Sequence, residues 1–194
     1  MLVDPWFASW VQTGSPQLPG TPTGADEQER FAAYERVVME RTNALNLSRR
    51  RLSPPWPRAL GTPPWGARRE LELGAARRGA RYAVDLLRID RRDALVGVYD
   101  HLVDVVAEGE PALLYVGNDL LPRHVVLVLP GDGDRVLDVY EPAGGLVRVL
   151  RRDEFTGHAL ALAGWDVPWF VVRPTGERTV RVREGVGSAA PTPA

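Results

Sequence analysis

The stretch PALLYVGNDLLPRHVVLVLPGDGDRVLDVYEPAGGLVRVLRRDEF, residues 111–155, contains four apolar runs separated by turn-forming residues. ALLYVG, HVVLVL, VLDVYE and LVRVL are rich in Val, Leu and Tyr, and GDGD and PAGG lie between the later ones. Such runs, bounded by Gly, Pro and Asp, are typical of strands joined by short turns. A fifth run, WFVVR at 169–173, follows the polar stretch RRDEFTGHAL, in which we expect a helical turn. The sequence therefore predicts a mainly antiparallel sheet in its C-terminal half.

Upstream of this stretch, the sequence predicts two helices. Residues 25–46 have apolar positions at near-helical spacing, with Asp26 as the N-cap and acidic residues in the first turn. A second helix begins where Thr62 suits the N-cap and Pro63 suits the first helical position, and Gly79 suits its end. Repeated prolines separate the two.

A strand and a third helix complete the pattern. RYAVDLLR at 81–88 predicts a strand, Asp90 then suits an N-cap, and Gly109 suits the end of the helix that follows. The apolar face of that helix consists of Leu95, Val98, Leu102, Val105 and Val106. Helices followed by a largely antiparallel sheet predict an α+β fold.

The length of 194 residues predicts one domain. We assign residues 1–24, with four prolines, to an irregular N-terminal arm, and residues 25–184 to the domain itself. Alternation in TVRVRE, residues 179–184, predicts an edge strand, and residues 185–194 predict a disordered tail. Large aromatic side chains in the arm should pack against the body, because their exposure is costly: Trp6, Phe7 and Trp10.

Composition limits the partners and the chemistry. The net charge is −1, from 24 basic and 25 acidic residues, which argues against nucleic-acid and membrane partners. The chain has no cysteine, so disulfides, thiolate metal sites and thiol catalysis are excluded. Its three histidines have no metal-ligand spacing, and we expect no metal and no cofactor. Without a signal-peptide pattern or a long apolar run, we expect a cytoplasmic protein.

His124 and Glu141 form the candidate site. His124 begins HVVLVL, where alternation places it on one face with Val126 and Val128. Glu141 ends the next strand, and a hairpin turning at GDGD brings the start of the first strand beside the end of the second. A histidine with an acid that fixes its tautomer is what a general base requires. The alternative is a structural histidine bonded to a nearby acid.

The order GEPALLYVG, RHVVLV, GDRVLDVYEPAGG and a later Phe resembles the C-terminal half of papain-like cysteine peptidases of the bacteriocin-processing type. The resemblance covers residues 58 to 174 and implies a papain-like fold. It implies that His124 matches the family's base and that Glu141 stands where the family usually carries Asp. It also places Leu60, before Gly61, at the position of the family's nucleophilic Cys.

The leucine at position 60, where the family has cysteine, removes the usual nucleophile. Leucine cannot form the thiolate that a helix N-terminus and an imidazole would activate. Thr62 is the nearest hydroxyl and a weak alternative nucleophile, although it also suits the N-cap, and Ser53 reads as a turn residue. If Leu60 faces His124 across a cleft, Leu60→Cys should create a thiol that alkylates unusually fast.

Three functions follow from the residues and the resemblance. The first is a catalytically silent papain-like module that binds a peptide, a protein tail or a small ligand in the cleft. The second is a hydrolase or acyltransferase that uses His124 and Glu141 with a non-cysteine nucleophile or an activated water. The third is an accessory protein, such as an immunity or secretion-system partner. The oligomeric state is not encoded in any pattern of the sequence.

Overall fold

The computed structural model of the protein describes residues 5–17, 19–43, 56–57, 60–72, 79–133, 135–142 and 144–178. Within these residues the chain has an α+β fold with five helices and a six-stranded antiparallel sheet, as the sequence predicts. The helices are α1 (Pro5–Thr13), α2 (Glu27–Asn43), α3 (Pro64–Glu70), α4 (Arg92–Ala107) and α5 (Arg152–Thr156). The strands are β1 (Ala80–Leu86), β2 (Ala112–Gly117), β3 (Pro122–Pro130), β4 (Leu137–Glu141), β5 (Leu146–Leu150) and β6 (Val167–Arg178).

The sheet has the order β1-β6-β2-β3-β4-β5. The runs predicted as strands correspond to β1 to β6, and α5 is the helical turn expected in RRDEF. Short connections join β2, β3, β4 and β5 into a meander, because each turn is too short to reach any strand but the neighbouring one. β6 returns to lie between β1 and β2. The predicted edge strand 179–184 and tail 185–194 lie outside the described residues.

Each face of the sheet buries its own apolar cluster. In β2 the side chains alternate, so Leu114 and Val116 join the cluster that α4 and α5 cover. Leu113 and Tyr115 point the other way, into the cluster that α3 covers with Ala67. The two clusters therefore lie on opposite faces of one sheet, and any side chain of β3 or β4 can be assigned to a face by its register.

Residues 5–13 form α1, and the prediction of an irregular arm over 1–24 is wrong for this part. Pro5 stands at the first helical position, where its missing N–H costs nothing, and the other prolines of the arm follow the helix. Trp10 is fully buried, and the Phe7 ring lies 4.5 Å from that of Tyr34 on α2. The prediction that the aromatic side chains pack inward holds for Phe7 and Trp10, whereas Trp6 is exposed.

Asp26 caps α2 as the sequence predicts. Its Oδ1 accepts a hydrogen bond from the N–H of Glu29 at 2.8 Å, and the Glu29 carboxylate accepts one from the N–H of Ala25 at 3.0 Å. The first bond satisfies a donor that a helix start leaves without a partner, and the second ties the residue before the N-cap to the first turn. The helix continues to Asn43, and the last predicted positions, 44–46, lie outside the described residues.

The N-cap of α3 is Pro63, not Thr62 as predicted. Pro63 and Pro64 are both compatible with a helix start, and the structure uses the second as the first helical residue, so the start moves by one position. The backbone oxygen of Thr62 instead accepts a hydrogen bond from the Tyr115 hydroxyl at 3.0 Å. Burial raises the pKa of this Tyr115 phenol. The predicted helix end at Gly79 follows residues 73–78, which lie outside the described part.

The N-cap of α4 is Arg91, and the prediction of Asp90 is wrong by one residue. Asp90 instead belongs to the preceding turn, in which its N–H donates to the Leu87 oxygen at 3.0 Å. Four residues of the predicted apolar face are buried together with Tyr99, whereas Val98 is only partly buried. The N–H of Gly109 donates to the Val106 oxygen and ends the helix. No helix in the described ranges is long and apolar enough to cross a membrane.

Candidate functional site

His124 is the third residue of β3 and pairs with Val116 of β2. Partners in an antiparallel pair share a face, so His124 lies on the face of Val116, Val126 and Val128 that α4 and α5 cover. The predicted alternation is confirmed. The turn before β3 is held by Asn118, whose side-chain oxygen accepts hydrogen bonds from the N–H groups of Leu120 and Leu121, two and three residues further on. The imidazole is 19% exposed.

Glu141 ends β4, which pairs with β3 in antiparallel register from Leu127 opposite Tyr140. Continuing that register by one residue sets Glu141 opposite Val126, two residues from His124 and on the same face. The Glu141 side chain is only 9% exposed. Its Oε1 accepts a hydrogen bond from the N–H of Gly144 at 3.1 Å, so the turn after β4 fixes the carboxyl group.

The structure brings His124 and Glu141 together on neighbouring strands, as the sequence predicts. His124 Nε2 lies 3.5 Å from Glu141 Oε1. This separation is within ion-pair reach but longer than the 2.7–3.2 Å that we expect for a well-formed hydrogen bond. Nε2 is buried and has no hydrogen-bond partner. The Nε2–Oε1 contact is therefore a long one, and a shift of a few tenths of an ångström would turn it into a hydrogen bond.

The contact defines which ring nitrogen can meet a ligand. Oε1 acts as an acceptor towards Gly144, and Nε2 faces the same oxygen, so Nε2 is the nitrogen suited to carry a proton. In the neutral ring the lone pair then lies on Nδ1. His124 can accordingly accept a hydrogen bond, or a proton, from a group that approaches Nδ1.

Leu60 and Thr62 do not lie on the face of His124. The segment that carries them is held on the α3 side, because the Tyr115 hydroxyl binds the Thr62 oxygen and the Trp56 ring packs 6.1 Å from that of Phe170. The Leu60 N–H donates to the Pro57 oxygen at 2.9 Å. The expectation that Leu60 faces His124 across a cleft is therefore wrong, since the sheet lies between the two. The α3 cluster, with its own aromatic side chains, draws this segment to the other face.

Leu60→Cys should give a thiol of ordinary reactivity. The imidazole that would withdraw its proton lies on the other face of the sheet, so we expect iodoacetamide to alkylate the half-buried thiol no faster than free cysteine, within about threefold. The measurement is the alkylation rate between pH 7 and 9, with N-acetylcysteine as reference. A rate ten times that of the reference, lost again when His124→Ala is added, would place His124 beside Leu60 and contradict the assignment of faces.

Sequence reasoning missed a second polar cluster on the same face, towards the β1 edge. Arg173 on β6 donates from Nε to the Asp85 carboxylate at 2.6 Å, and its NH1 lies 2.6 Å from His101 Nε2 on α4. A guanidinium has only donors, so His101 Nε2 must be the acceptor here. His101 is half-buried, and Arg173 lies 72 residues from His101 and 88 residues from Asp85 along the chain. No local pattern connects them.

In the described ranges, no group of three or more His, Asp or Glu side chains could hold a metal ion. GDGD behaves as a hairpin turn: the N–H of Gly131 donates to the Val136 oxygen at 3.1 Å, and Asp134 lies outside the described residues.

Comparison with known proteins identifies no matching family model, no matching curated protein and no matching solved structure. The functional argument therefore depends on the residues and on the geometry of the His124–Glu141 pair.

Proposed function

We propose that this protein is a catalytically silent, papain-like module that binds a peptide, a protein tail or a small ligand at the His124–Glu141 pair. One observation carries the proposal: His124 Nε2 lies 3.5 Å from the carboxyl group of Glu141, while Leu60 and Thr62 lie on the other face of the sheet. A histidine lies beside an acid that could orient it, and neither Leu60 nor Thr62, the residues considered for the nucleophile position, lies near them. Such a pair can bind a ligand without forming an acyl intermediate.

The papain-like assignment applies to residues 111–174 in this proposal. The meander of β2 to β5, with His124 near the start of one strand and a buried acid at the end of the next, supports it. The position of α3 on the opposite face argues against extending the resemblance to Leu60 and the segment around it. We therefore assign no nucleophile position in the chain.

The pair selects a type of ligand group. With the proton on Nε2, Nδ1 of His124 accepts a hydrogen bond, so the ligand must donate one from an N–H or an O–H. The backbone N–H of a peptide meets this requirement, as does a small molecule with an amide or a hydroxyl. The same geometry favours the second candidate function, hydrolysis by an activated water, because a water is also a donor that His124 could deprotonate.

An activity test with His124→Ala separates binding from catalysis. We expect the wild type and the variant to release product at the rate of buffer alone from p-nitrophenyl acetate and from a fluorogenic peptide library. Arg123→Ala, an exposed neighbour with its side chain on the other face, is the matched control. The silent assignment is wrong if the wild type hydrolyses a substrate and His124→Ala lowers the rate roughly 10²–10⁴-fold at an unchanged melting temperature.

Binding is followed by NMR through the imidazole ring signals. A pool of acetylated tetrapeptide amides of random sequence at about 1 mM, enough to detect weak sites, should shift the His124 signal and leave that of His158 unchanged. Glu141→Gln keeps the shape of the side chain but removes the carboxylate, so the shift should become smaller. An unmoved His124 signal would show that the pair does not bind peptides and would reject this part of the proposal.

A further inference from the structure

Both oxygens of the Glu141 carboxyl group lie against Gly144, in the turn that joins β4 to β5. Oε1 accepts a hydrogen bond from the Gly144 N–H at 3.1 Å. Oε2 lies 3.1 Å from the point where a Cβ atom on Gly144 would stand. One oxygen is therefore held by the backbone of Gly144, and the other fills the space that a side chain at this position would need.

A side chain at position 144 would displace this carboxyl group. A Cβ atom 3.1 Å from Oε2 is closer than such atoms normally approach, so Oε2 would have to give way by a few tenths of an ångström. The other neighbour, Leu146, would lie at an ordinary contact distance of 3.5 Å. Glu141 is only 7% exposed, so its carboxyl group cannot simply turn out into solvent. The 3.5 Å separation between Oε1 and Nε2 of His124 would therefore change with it.

The backbone of this turn favours glycine at position 145 but not at position 144. Gly145 has a φ of 64°, in the left-handed region that favours glycine. Apart from its chain neighbours, no described atom lies within 4 Å of its Cβ position. The φ of Gly144 lies outside that region and gives no reason for glycine. Space for the Glu141 carboxyl group is therefore what the absent side chain at position 144 provides.

We propose that Gly144 is a positioning residue for the ligand site. Its N–H and its missing side chain together hold the Glu141 carboxyl group at the place where Oε1 faces Nε2 of His124. The ring then keeps its proton on Nε2 and presents Nδ1 to the ligand, so Gly144 acts on the ligand through Glu141 and His124. This role rests on the proposed function, because it matters to binding only if the His124–Glu141 pair is the ligand site.

The test compares alanine at the two glycines by NMR, in the full chain and without any peptide. The ring nitrogen signals of His124 report which nitrogen carries the proton. Gly144→Ala should move them by roughly a third or more of the change that Glu141→Ala produces. Gly145→Ala strains the backbone of the same turn without approaching Glu141, so it should lower the urea midpoint and leave the His124 signals in place. Positions 144 and 145 are both exposed, so we expect both variants to fold.

A double mutant separates positioning of Glu141 from a general effect of the turn. With Glu141→Ala already present, Gly144→Ala should leave the His124 signals unchanged, because the group through which Gly144 acts is absent. The proposal is overturned if Gly144→Ala alone leaves these signals in place, if it moves them equally without the carboxyl group, or if Gly145→Ala moves them as far. A failed peptide titration would reject the ligand site itself, whereas these signals come from the free protein and test the role of Gly144 separately.

Discussion

Replacing Arg30 with alanine should lower the free energy of unfolding by about 2–4 kcal/mol. The Arg30 side chain lies between α1 and α2 and is almost fully buried. Its Nε donates to the Val11 oxygen and one NH2 donates to the Gln12 oxygen, both at 2.8 Å, at the end of α1. A third bond, from NH1 to the Gly24 oxygen at 3.2 Å, ties the connection between the helices. Alanine would remove all three bonds and leave the buried Val11 oxygen without this donor. Urea unfolding measures the loss.

Two further variants show whether the guanidinium shape matters. Arg30→Lys keeps the charge but cannot donate in three directions from a planar fork, so we expect it to be destabilised nearly as much as Arg30→Ala. Arg36→Ala removes an exposed arginine from the same helix and should change the free energy of unfolding by less than about 0.5 kcal/mol. If Arg30→Ala were no more destabilised than Arg36→Ala, the bonds of Arg30 to α1 would not hold that helix in place.

The strands were predictable because their signals are local. Each of β2 to β4 is a short, mainly apolar run that ends at a turn containing Gly or Pro, and short turns leave one possible neighbour for each strand. The end of α4 at Gly109 was predictable for the same reason, since a residue with φ of 87° there strongly favours glycine. The His124–Glu141 pair follows from one hairpin register, and its position was predictable too.

The features that the sequence failed to predict depend on contacts between distant residues, which local sequence patterns do not contain. The prolines of the arm predict irregular structure. Burial of Trp10 against α2 nevertheless stabilises a helix over Pro5–Thr13. Both helix starts that were wrong moved by one residue, because neighbouring residues can serve as caps at similar cost. The cluster of Arg173, Asp85 and His101 joins three elements that are far apart in the chain.

The face on which α3 packs is the main point that the sequence left undetermined. A resemblance that places Leu60 near a helix start gives its position along the chain, but not the side of the sheet. That side follows from the tertiary contacts of Tyr115 with Thr62 and of Trp56 with Phe170. His124 and Glu141 share one hairpin and were predicted together, whereas the place of Leu60 relative to them depends on a long-range contact, and its predicted place facing His124 was wrong.

Gly117→Ala should lower the free energy of unfolding by about 2–3 kcal/mol, because the turn from β2 to β3 leaves no space for a side chain. A Cβ atom at this position would lie 2.1 Å from the backbone oxygen of Leu121 and 2.8 Å from Cα of Pro122. Both neighbours are backbone atoms, so the turn itself must open, and Pro122 is only two residues before His124. We therefore expect the His124 ring signal to move in the variant, together with the urea midpoint.

Gly97→Ala should change the free energy of unfolding in the opposite direction to Gly117→Ala. Gly97 is exposed in the middle of α4, and apart from its chain neighbours and the backbone of α4 itself, no atom lies within 4 Å of the Cβ position. Alanine there should raise the free energy of unfolding by about 0.5–1 kcal/mol, because glycine loses more backbone entropy in a helix. The sign of the change then depends on the space around each glycine rather than on the residue type. A Gly117→Ala variant as stable as the wild type would mean that the β2–β3 turn can widen freely, and His124 would not be held in place by it.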